Sequence, residues 1–128
     1  MEQLMLNNSK PICFLATKNA EQSREFYEKI LGLKFISDDQ FALVFDVNGT
    51  MLRIQKVENF KPRDFTVLGW NVANIVAETA QLSQRGVQFS RYEWMDQDEC
   101  GIWISPNGAR VAWFKDPDGN LLSLTQFG

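Results

Sequence analysis

The chain has 128 residues, 45% of them apolar and 23% charged, with a formal net charge of −3. These values suit one globular domain, and no apolar run approaches the roughly 20 residues that a membrane helix needs. The acidic balance, without clustered lysine and arginine, argues against nucleic acid as a partner. The amino terminus lacks the features of a signal peptide and the two cysteines are far apart, so we expect a cytoplasmic protein without disulfides.

The first half of the chain predicts the order β-α-β-β-β. Residues 1–10 form a polar arm, and Pro11 to Thr17 is an apolar run typical of a strand buried on both faces. Asn19 is a suitable helix cap, with Gln22 three residues later, and Gly32 ends the helix. Three further strands are predicted, over 33–37, 41–47 and 51–56.

The second half repeats this order with one addition. A strand is predicted over 65–73, a helix over 75–85 and a strand over 87–92. The segment 93–108 has no counterpart in the first half, and we interpret it as an insertion. The predicted organisation is therefore a single domain over 11–127, made of unit one (11–56), a linker (57–64) and unit two (65–127).

Two hairpin turns also correspond between the halves. They are Asp46-Val47-Asn48-Gly49-Thr50 and Asp116-Pro117-Asp118-Gly119-Asn120. Each contains a glycine where a tight turn requires a positive φ. The repeated turns support the interpretation of the chain as one small unit used twice.

The duplicated order and two stretches of sequence, 26–33 (FYEKILGL) and 114–120 (FKDPDGN), resemble the vicinal oxygen chelate superfamily. That superfamily includes glyoxalase I, bleomycin-resistance proteins, fosfomycin-resistance enzymes and extradiol dioxygenases. The resemblance implies an α+β fold in which two β-α-β-β-β units form a curved mixed sheet around a central pocket. It also implies a homodimer.

The resemblance further implies a divalent metal held by one side chain from the first and last strand of each unit. The corresponding positions here are Ile12, Arg53, Val67 and Ser123. Two hydrocarbons, a cationic guanidinium and a hydroxyl do not form a ligand set for such an ion, and the chain contains no histidine. We therefore expect no metal, no other cofactor and no catalytic residues of the family type.

Alternation along the strands predicts the ligand-binding residues. Leu52 and Ile54 should face the helices, while Arg53 and Gln55 should face the concave side of the sheet. These polar groups either line a pocket or simply meet solvent. The predicted ligand-binding residues are Phe14, Arg53, Gln55, Asn71, Trp94, Trp103, Trp113 and Ser123.

The four tryptophans carry separate expectations. Trp70 should face a helix as part of the core, and Trp113 is either core or pocket wall. Trp94 and Trp103 lie in the insertion, where they could contact a ligand, contact a second subunit or form a local core under the loop.

Two functions follow from these observations. The first is a metal-free pocket that binds or sequesters a small molecule. The second is a metal-free or divergent glyoxalase-like enzyme that acts on a small oxygenated substrate and is related to lyases, isomerases or dioxygenases. The acidic run 96–99 could supply a base, although no nucleophile is paired with it. The charge of the ligand stays open, because the aromatic and acidic insertion suits a flat cation whereas Arg53 suits a carboxylate or phosphate.

Overall fold

The computed structural model describes residues 5–128, so the first four residues of the predicted amino-terminal arm lie outside it. The fold is α+β and divides into two compact units, the first ending at Phe60 and the second beginning at Lys61. Each unit contains one four-stranded mixed sheet. The division falls inside the segment 57–64 that the sequence assigns to a linker.

Unit one begins with a short 3-10 helix (Leu6–Asn8) and contains one α-helix and four strands. They are β1 (Ile12–Thr17), α1 (Ala20–Arg24), β2 (Lys34–Asp38), β3 (Ala42–Val47) and β4 (Thr50–Lys56). The strand order is β1-β4-β3-β2. β1 is parallel to β4 and the other neighbours are antiparallel, so the predicted order of elements is confirmed for this unit.

The helix of unit one begins as predicted but changes its winding. The side chain of Asn19 accepts a hydrogen bond from the backbone N–H of Gln22 at 3.1 Å. From Glu25 to Ile30 the helix is π-helical. This winding lets the consecutive residues Phe26 and Tyr27 both enter the core, which a regular α-helix turning by about 100° per residue would favour less.

Unit two has one helix and four strands. They are β5 (Leu68–Asn71), α2 (Ile75–Gln84), β6 (Trp103–Ile104), β7 (Arg110–Lys115) and β8 (Leu121–Gln126). The strand order is β5-β8-β7-β6, with β5 parallel to β8. α2 packs against β7 and β8. Trp70 stacks on the buried Phe114 at 6.4 Å between ring centroids. Trp70 itself is only partly buried, so it lies at the edge of the core instead of inside it as predicted.

Three predictions about strands are wrong or inexact. β1 is buried on one face only, since Ile12 and Phe14 are 48% and 51% exposed. The strand predicted over 65–73 is limited to Leu68–Asn71. The strand predicted over 87–92 is reduced to a single bridge between Phe89 and Phe114.

The missing strand has an identifiable cause in the insertion. The side-chain amide of Gln97 accepts from the backbone N–H of Tyr92 at 2.8 Å and donates to the backbone oxygen of Ser90 at 2.9 Å. These bonds satisfy backbone groups that would otherwise pair in a sheet ladder. The edge position next to β7 is taken instead by β6, which comes from the insertion.

Both repeated hairpin turns are confirmed, joining β3 to β4 and β7 to β8. In the first, Asn48 and Gly49 have φ values of 50° and 92°. In the second, the carboxylate of the buried Asp116 accepts hydrogen bonds from the backbone of Asp118 and from both nitrogens of Asn120. Among the described residues, no helix is long and apolar enough to cross a membrane.

Candidate functional site

Each sheet has one face that packs on the helix of its unit and one face that does not, which we call the helix-free face. In β4, Leu52 and Ile54 are buried on the helix side, whereas Met51, Arg53 and Gln55 point the other way and are partly or largely exposed. Burial in β4 therefore alternates as the sequence predicts.

The helix-free face of unit one contains a cavity of about 370 Å³. This volume lies within the range of small-molecule pockets. The lining is mainly apolar, and its two charged residues, Lys10 and Asp46, are of opposite sign. The lining residues are Lys10, Pro11, Ile12, Ile36, Val44, Phe45, Asp46, Gly49 and Met51.

A β-bulge helps to shape this cavity. The pairing of β2 with β3 shifts between Phe35 and Ser37, so Ile36 is the extra residue of the bulge. A bulge re-aims the side chain of the residue that it leaves unpaired. Ile36 thereby lines the cavity beside Val44 while remaining half exposed.

Arg53 lies on the same face, between Phe14 of β1 and Val44 of β3 in the sheet register. Its Nη2 atom is 3.5 Å from Oδ2 of Asp39, in the connection between β2 and β3. The other carboxylate oxygen of Asp39 accepts backbone hydrogen bonds from Phe41 and Ala42, both at 2.8 Å. These two backbone donors, and then Arg53, lower the pKa of Asp39 below its usual value of 3.8.

The helix-free face of unit two carries aromatic rings. Trp113 of β7 is paired with Ser123 of β8, and Trp103 of β6 is paired with Val111. The ring centroids of Trp103 and Trp113 are 6.1 Å apart, and Tyr92 meets Trp113 edge-to-face at 5.9 Å. These contacts bear out a local aromatic cluster under the insertion.

Trp94 extends this cluster towards solvent. Its ring centroid is 5.6 Å from that of Tyr92, yet the residue is 78% exposed. This tilted contact with the ring of Tyr92 leaves most of the indole of Trp94 uncovered. Its role in binding a ligand or a second subunit stays a prediction.

The acidic run of the insertion shapes the loop. One carboxylate oxygen of Asp98 accepts from the backbone N–H groups of Cys100 and Ile102, both at 2.9 Å. Gln97 bonds to the backbone as described above. Asp98, the centre of this run, is thereby used as a turn-forming residue.

The residues at the four family metal positions do not fit a metal. In unit one, Ile12 and Arg53 supply a hydrocarbon and a cation that is engaged with Asp39. In unit two, Val67 supplies a hydrocarbon and Ser123 a largely buried hydroxyl. Within residues 5–128 there is also no group of three or more His, Cys, Asp or Glu side chains that could hold an ion. The chemistry of these donors is unsuited to a divalent cation.

The predicted ligand-binding residues are divided between the units. Phe14, Arg53 and Gln55 lie on the helix-free face of unit one, where Phe14 and Arg53 are register partners. In unit two, Asn71 lies in β5, Trp94 in the insertion, and the remaining three in β6, β7 and β8: Trp103, Trp113 and Ser123.

We call the cavity of unit one, together with Arg53 and Asp39 beside it, the unit-one site. Sequence reasoning missed several of its residues. Met51 could have been included, because it alternates with Arg53 and Gln55. Asp39 carried a weaker signal, since an aspartate directly after a strand often forms a turn with the backbone two or three residues on. No sequence signal marked Ile36, because the bulge that directs its side chain was not predicted.

The family profile of the Glyoxalase/Bleomycin resistance protein/Dioxygenase superfamily matches residues 11–124. A search of curated proteins gives no match.

Several solved structures are similar to the chain. A glyoxalase family protein from Enterococcus faecalis has a TM-score of 0.76 at 18% identity, covering 95% of this chain and 100% of that one. A superfamily member from Sphaerobacter thermophilus has a TM-score of 0.74 at 20% identity, with 95% and 99% covered. A lactoylglutathione lyase from Agrobacterium tumefaciens has a TM-score of 0.71 at 13% identity, with 92% and 93% covered. At these identities the likeness concerns the fold alone.

Proposed function

Because the chain belongs to the Glyoxalase/Bleomycin resistance protein/Dioxygenase superfamily, we propose that it binds or sequesters a small molecule in a pocket that uses no metal. The observation that carries this proposal is the cavity of about 370 Å³ on the helix-free face of unit one. Its mainly apolar lining with few polar groups is the usual composition of a small-molecule site.

Burial of apolar surface supplies the driving force for binding. Ile12 and Met51 are 48% and 42% exposed, although they are hydrocarbon or thioether side chains next to each other in the sheet register. Covering about 100 Å² of such surface contributes about 2.5 kcal/mol before the costs of association are subtracted. A ligand that covers both side chains therefore gains measurable affinity without coordination to an ion.

The proposal that the pocket uses no metal depends on the side chains at the family metal positions. A cation at the family position in unit one would lie beside the guanidinium of Arg53 and the hydrocarbon of Ile12. Neither side chain can donate a lone pair to an ion, and because Asp39 offsets the charge of Arg53, it is this lack of donors, more than repulsion, that excludes a divalent ion. The site therefore disfavours the ion that family enzymes use.

The alternative of a metal-free enzyme has less support. Asp98, central in the acidic run, has one carboxylate oxygen committed to two backbone N–H groups. Cys100 bonds to Asp98 through its backbone N–H and not through its thiol, so we favour binding over catalysis.

A homodimer is part of the proposal and rests on the family resemblance. Partly exposed aromatic side chains in unit two, with Trp94 the most exposed, suit contact with a second copy. Sedimentation velocity at micromolar concentration tests the dimer, and a single monomeric species would reject it.

Binding in the cavity can be tested with a variant that fills it. Met51→Trp adds an indole to the lining of the cavity. We expect this variant to lose at least about tenfold in affinity for small uncharged aromatic compounds that bind the wild type, equivalent to about 1.4 kcal/mol. The measurement is a two-dimensional NMR titration in a buffer containing a chelator.

Val76→Trp is the matched control, because Val76 is exposed on α2 of the other unit. It adds the same side chain at a residue that is not part of the cavity lining. Equal affinity in both variants, or binding that perturbs no resonance of Ile12, Val44 or Met51, would contradict a site in this cavity.

A further inference from the structure

The ion pair between Arg53 and Asp39 lies beside the cavity of unit one, although neither residue is part of the cavity lining. Arg53 is the register neighbour of Phe14 on one side and of the cavity residue Val44 on the other. A guanidinium in this place would normally recruit a carboxylate or phosphate from a ligand. Here a carboxylate of the chain itself, Asp39, lies 3.5 Å away.

Asp39 is held in position by its own loop. One oxygen of its carboxylate accepts two backbone hydrogen bonds at 2.8 Å, from Phe41 and Ala42, and the other oxygen faces Arg53. The same backbone bonds, and then Arg53, lower its pKa below the usual value, so they stabilise the charged form that faces Arg53. Because the carboxylate is tethered and already ordered, its effective concentration at Arg53 is of millimolar order or higher, and an incoming anion has to compete with it.

A second ion pair ties the same connection to β4. The Nζ atom of Lys56 bonds to the carboxylate of Asp38 and, at 2.8 Å, to the backbone oxygen of Asp39. The loop that carries Asp39 is thus fixed to the strand that carries Arg53 at two places. This attachment makes Asp39 a built-in neighbour of Arg53.

The remaining charges at the site also balance. Lys10 and Asp46 are the two charged residues of the cavity lining. Together with Arg53 and Asp39 they sum to zero, so the site offers no net charge to a ligand. A carboxylate would have to be desolvated without gaining an unpaired cation, which costs more than it returns.

We infer that Asp39 is the internal counter-ion of Arg53 and that the unit-one site selects uncharged apolar ligands over carboxylates. This inference rests on the proposed binding function and adds the class of ligand to it. It replaces the expectation, drawn from Arg53 alone, of an anionic metabolite. Asp39 is accordingly a specificity-determining residue.

The test compares two nearly isosteric probes, benzoate and benzamide, which differ in charge. In Asp39→Asn, the side-chain oxygen can still accept from Phe41 and Ala42, while the negative charge opposite Arg53 is removed. We expect this variant to bind benzoate at least about tenfold more tightly than the wild type does, and benzamide with unchanged affinity. Dissociation constants come from two-dimensional NMR titrations at low ionic strength, where charge effects are least screened.

Asp38→Asn is the matched control. It changes the net charge of the protein equally, one residue away, but removes the carboxylate that meets Lys56 instead of the one that meets Arg53. The bond from Lys56 to the backbone oxygen of Asp39 remains, so the loop keeps an attachment to β4. We expect it to leave the affinity for benzoate at the wild-type value. Asp39→Asn combined with Arg53→Met should lose the gain.

The outcomes separate the two claims. Equal affinity of Asp39→Asn and Asp38→Asn for benzoate, or a wild type that already prefers benzoate to benzamide, overturns this inference while leaving binding in the cavity intact. If neither probe perturbs the resonances of Ile12, Val44 and Met51 in any variant, both the inference and the proposed binding site fail.

Discussion

Replacement of Asp116 by alanine measures how strongly the second hairpin turn depends on one carboxylate. Asp116 is 5% exposed, and it accepts from the backbone N–H of Asp118 and Asn120 at 2.9 Å and from the side-chain nitrogen of Asn120 at 2.8 Å. Alanine would leave these donors without that acceptor, and both donors of Asn120 are buried. At about 1–3 kcal/mol for each buried donor left unsatisfied, we expect a loss of about 3 kcal/mol in the free energy of unfolding.

The duplicated unit provides the control for this prediction. Asp46 occupies the equivalent position in unit one, where its carboxylate accepts one exposed hydrogen bond, from the backbone N–H of Gly49 at 3.1 Å. Water can replace that acceptor, so Asp46→Ala should cost about 1 kcal/mol or less. Urea unfolding followed by circular dichroism gives both values. Equal losses for Asp116→Ala and Asp46→Ala would refute the argument that burial of the donors decides the cost.

Three further predictions concern stability. Ser23→Ala should leave stability unchanged or raise it by about 1 kcal/mol, because the Ser23 hydroxyl is buried without a hydrogen-bond partner; a clear loss in urea unfolding would contradict this. Gly119→Ala should lower the stability more than Gly49→Ala does. Both glycines have a positive φ, which costs alanine about 1–2 kcal/mol of strain, but only at Gly119 would the added Cβ come within 3.1 Å of Pro62. Equal melting temperatures of the two variants would contradict this prediction. The pKa of Asp39 is lower in the folded state than its usual 3.8. The charged carboxylate therefore stabilises the fold fully above pH 3.8, and this contribution is lost as the pH falls through the folded pKa. The difference in melting temperature between wild type and Asp39→Asn should shrink in acid, and a difference that grows would contradict this prediction.

The order of elements in unit one could be predicted because local signals agree with the tertiary structure. Asn19 caps the helix through its side chain, and the Asn48-Gly49 pair adopts the positive φ values that the hairpin needs. Alternation also assigned Leu52 and Arg53 to opposite faces of β4. Each of these signals acts over a few residues, so sequence alone contains it.

The errors arose where a distant residue decides the backbone conformation. The segment 87–92 has strand-like residues, but Gln97 of the insertion bonds to the backbone oxygen of Ser90 and to the backbone N–H of Tyr92. The N–H of Ser90 still bonds to β7, at the backbone oxygen of Trp113. The bulge at Ile36 likewise depends on the register between β2 and β3. Neither feature follows from periodicity.

The candidate site was predictable only where a local pattern, the alternation of residues along a strand, decides which way a side chain points. Strand alternation fixes the face of Phe14 and of Arg53, and the two are register partners in the sheet. The partner of Arg53 was missed, since Asp39 lies in a connection whose path no local pattern specifies. That contact carries our inference that the site selects uncharged ligands, a question that the sequence left open.

The most direct test of the metal-free pocket is the metal content of the purified protein, measured by inductively coupled plasma mass spectrometry alongside melting temperatures with added nickel, zinc, iron(II) and manganese. An ion bound to the native state at 100 times its dissociation constant would stabilise the protein by about 2.7 kcal/mol. Our account predicts no stoichiometric metal and no rise in melting temperature with any of the four ions. One ion per chain, with a rise in melting temperature that a chelator reverses, would contradict it.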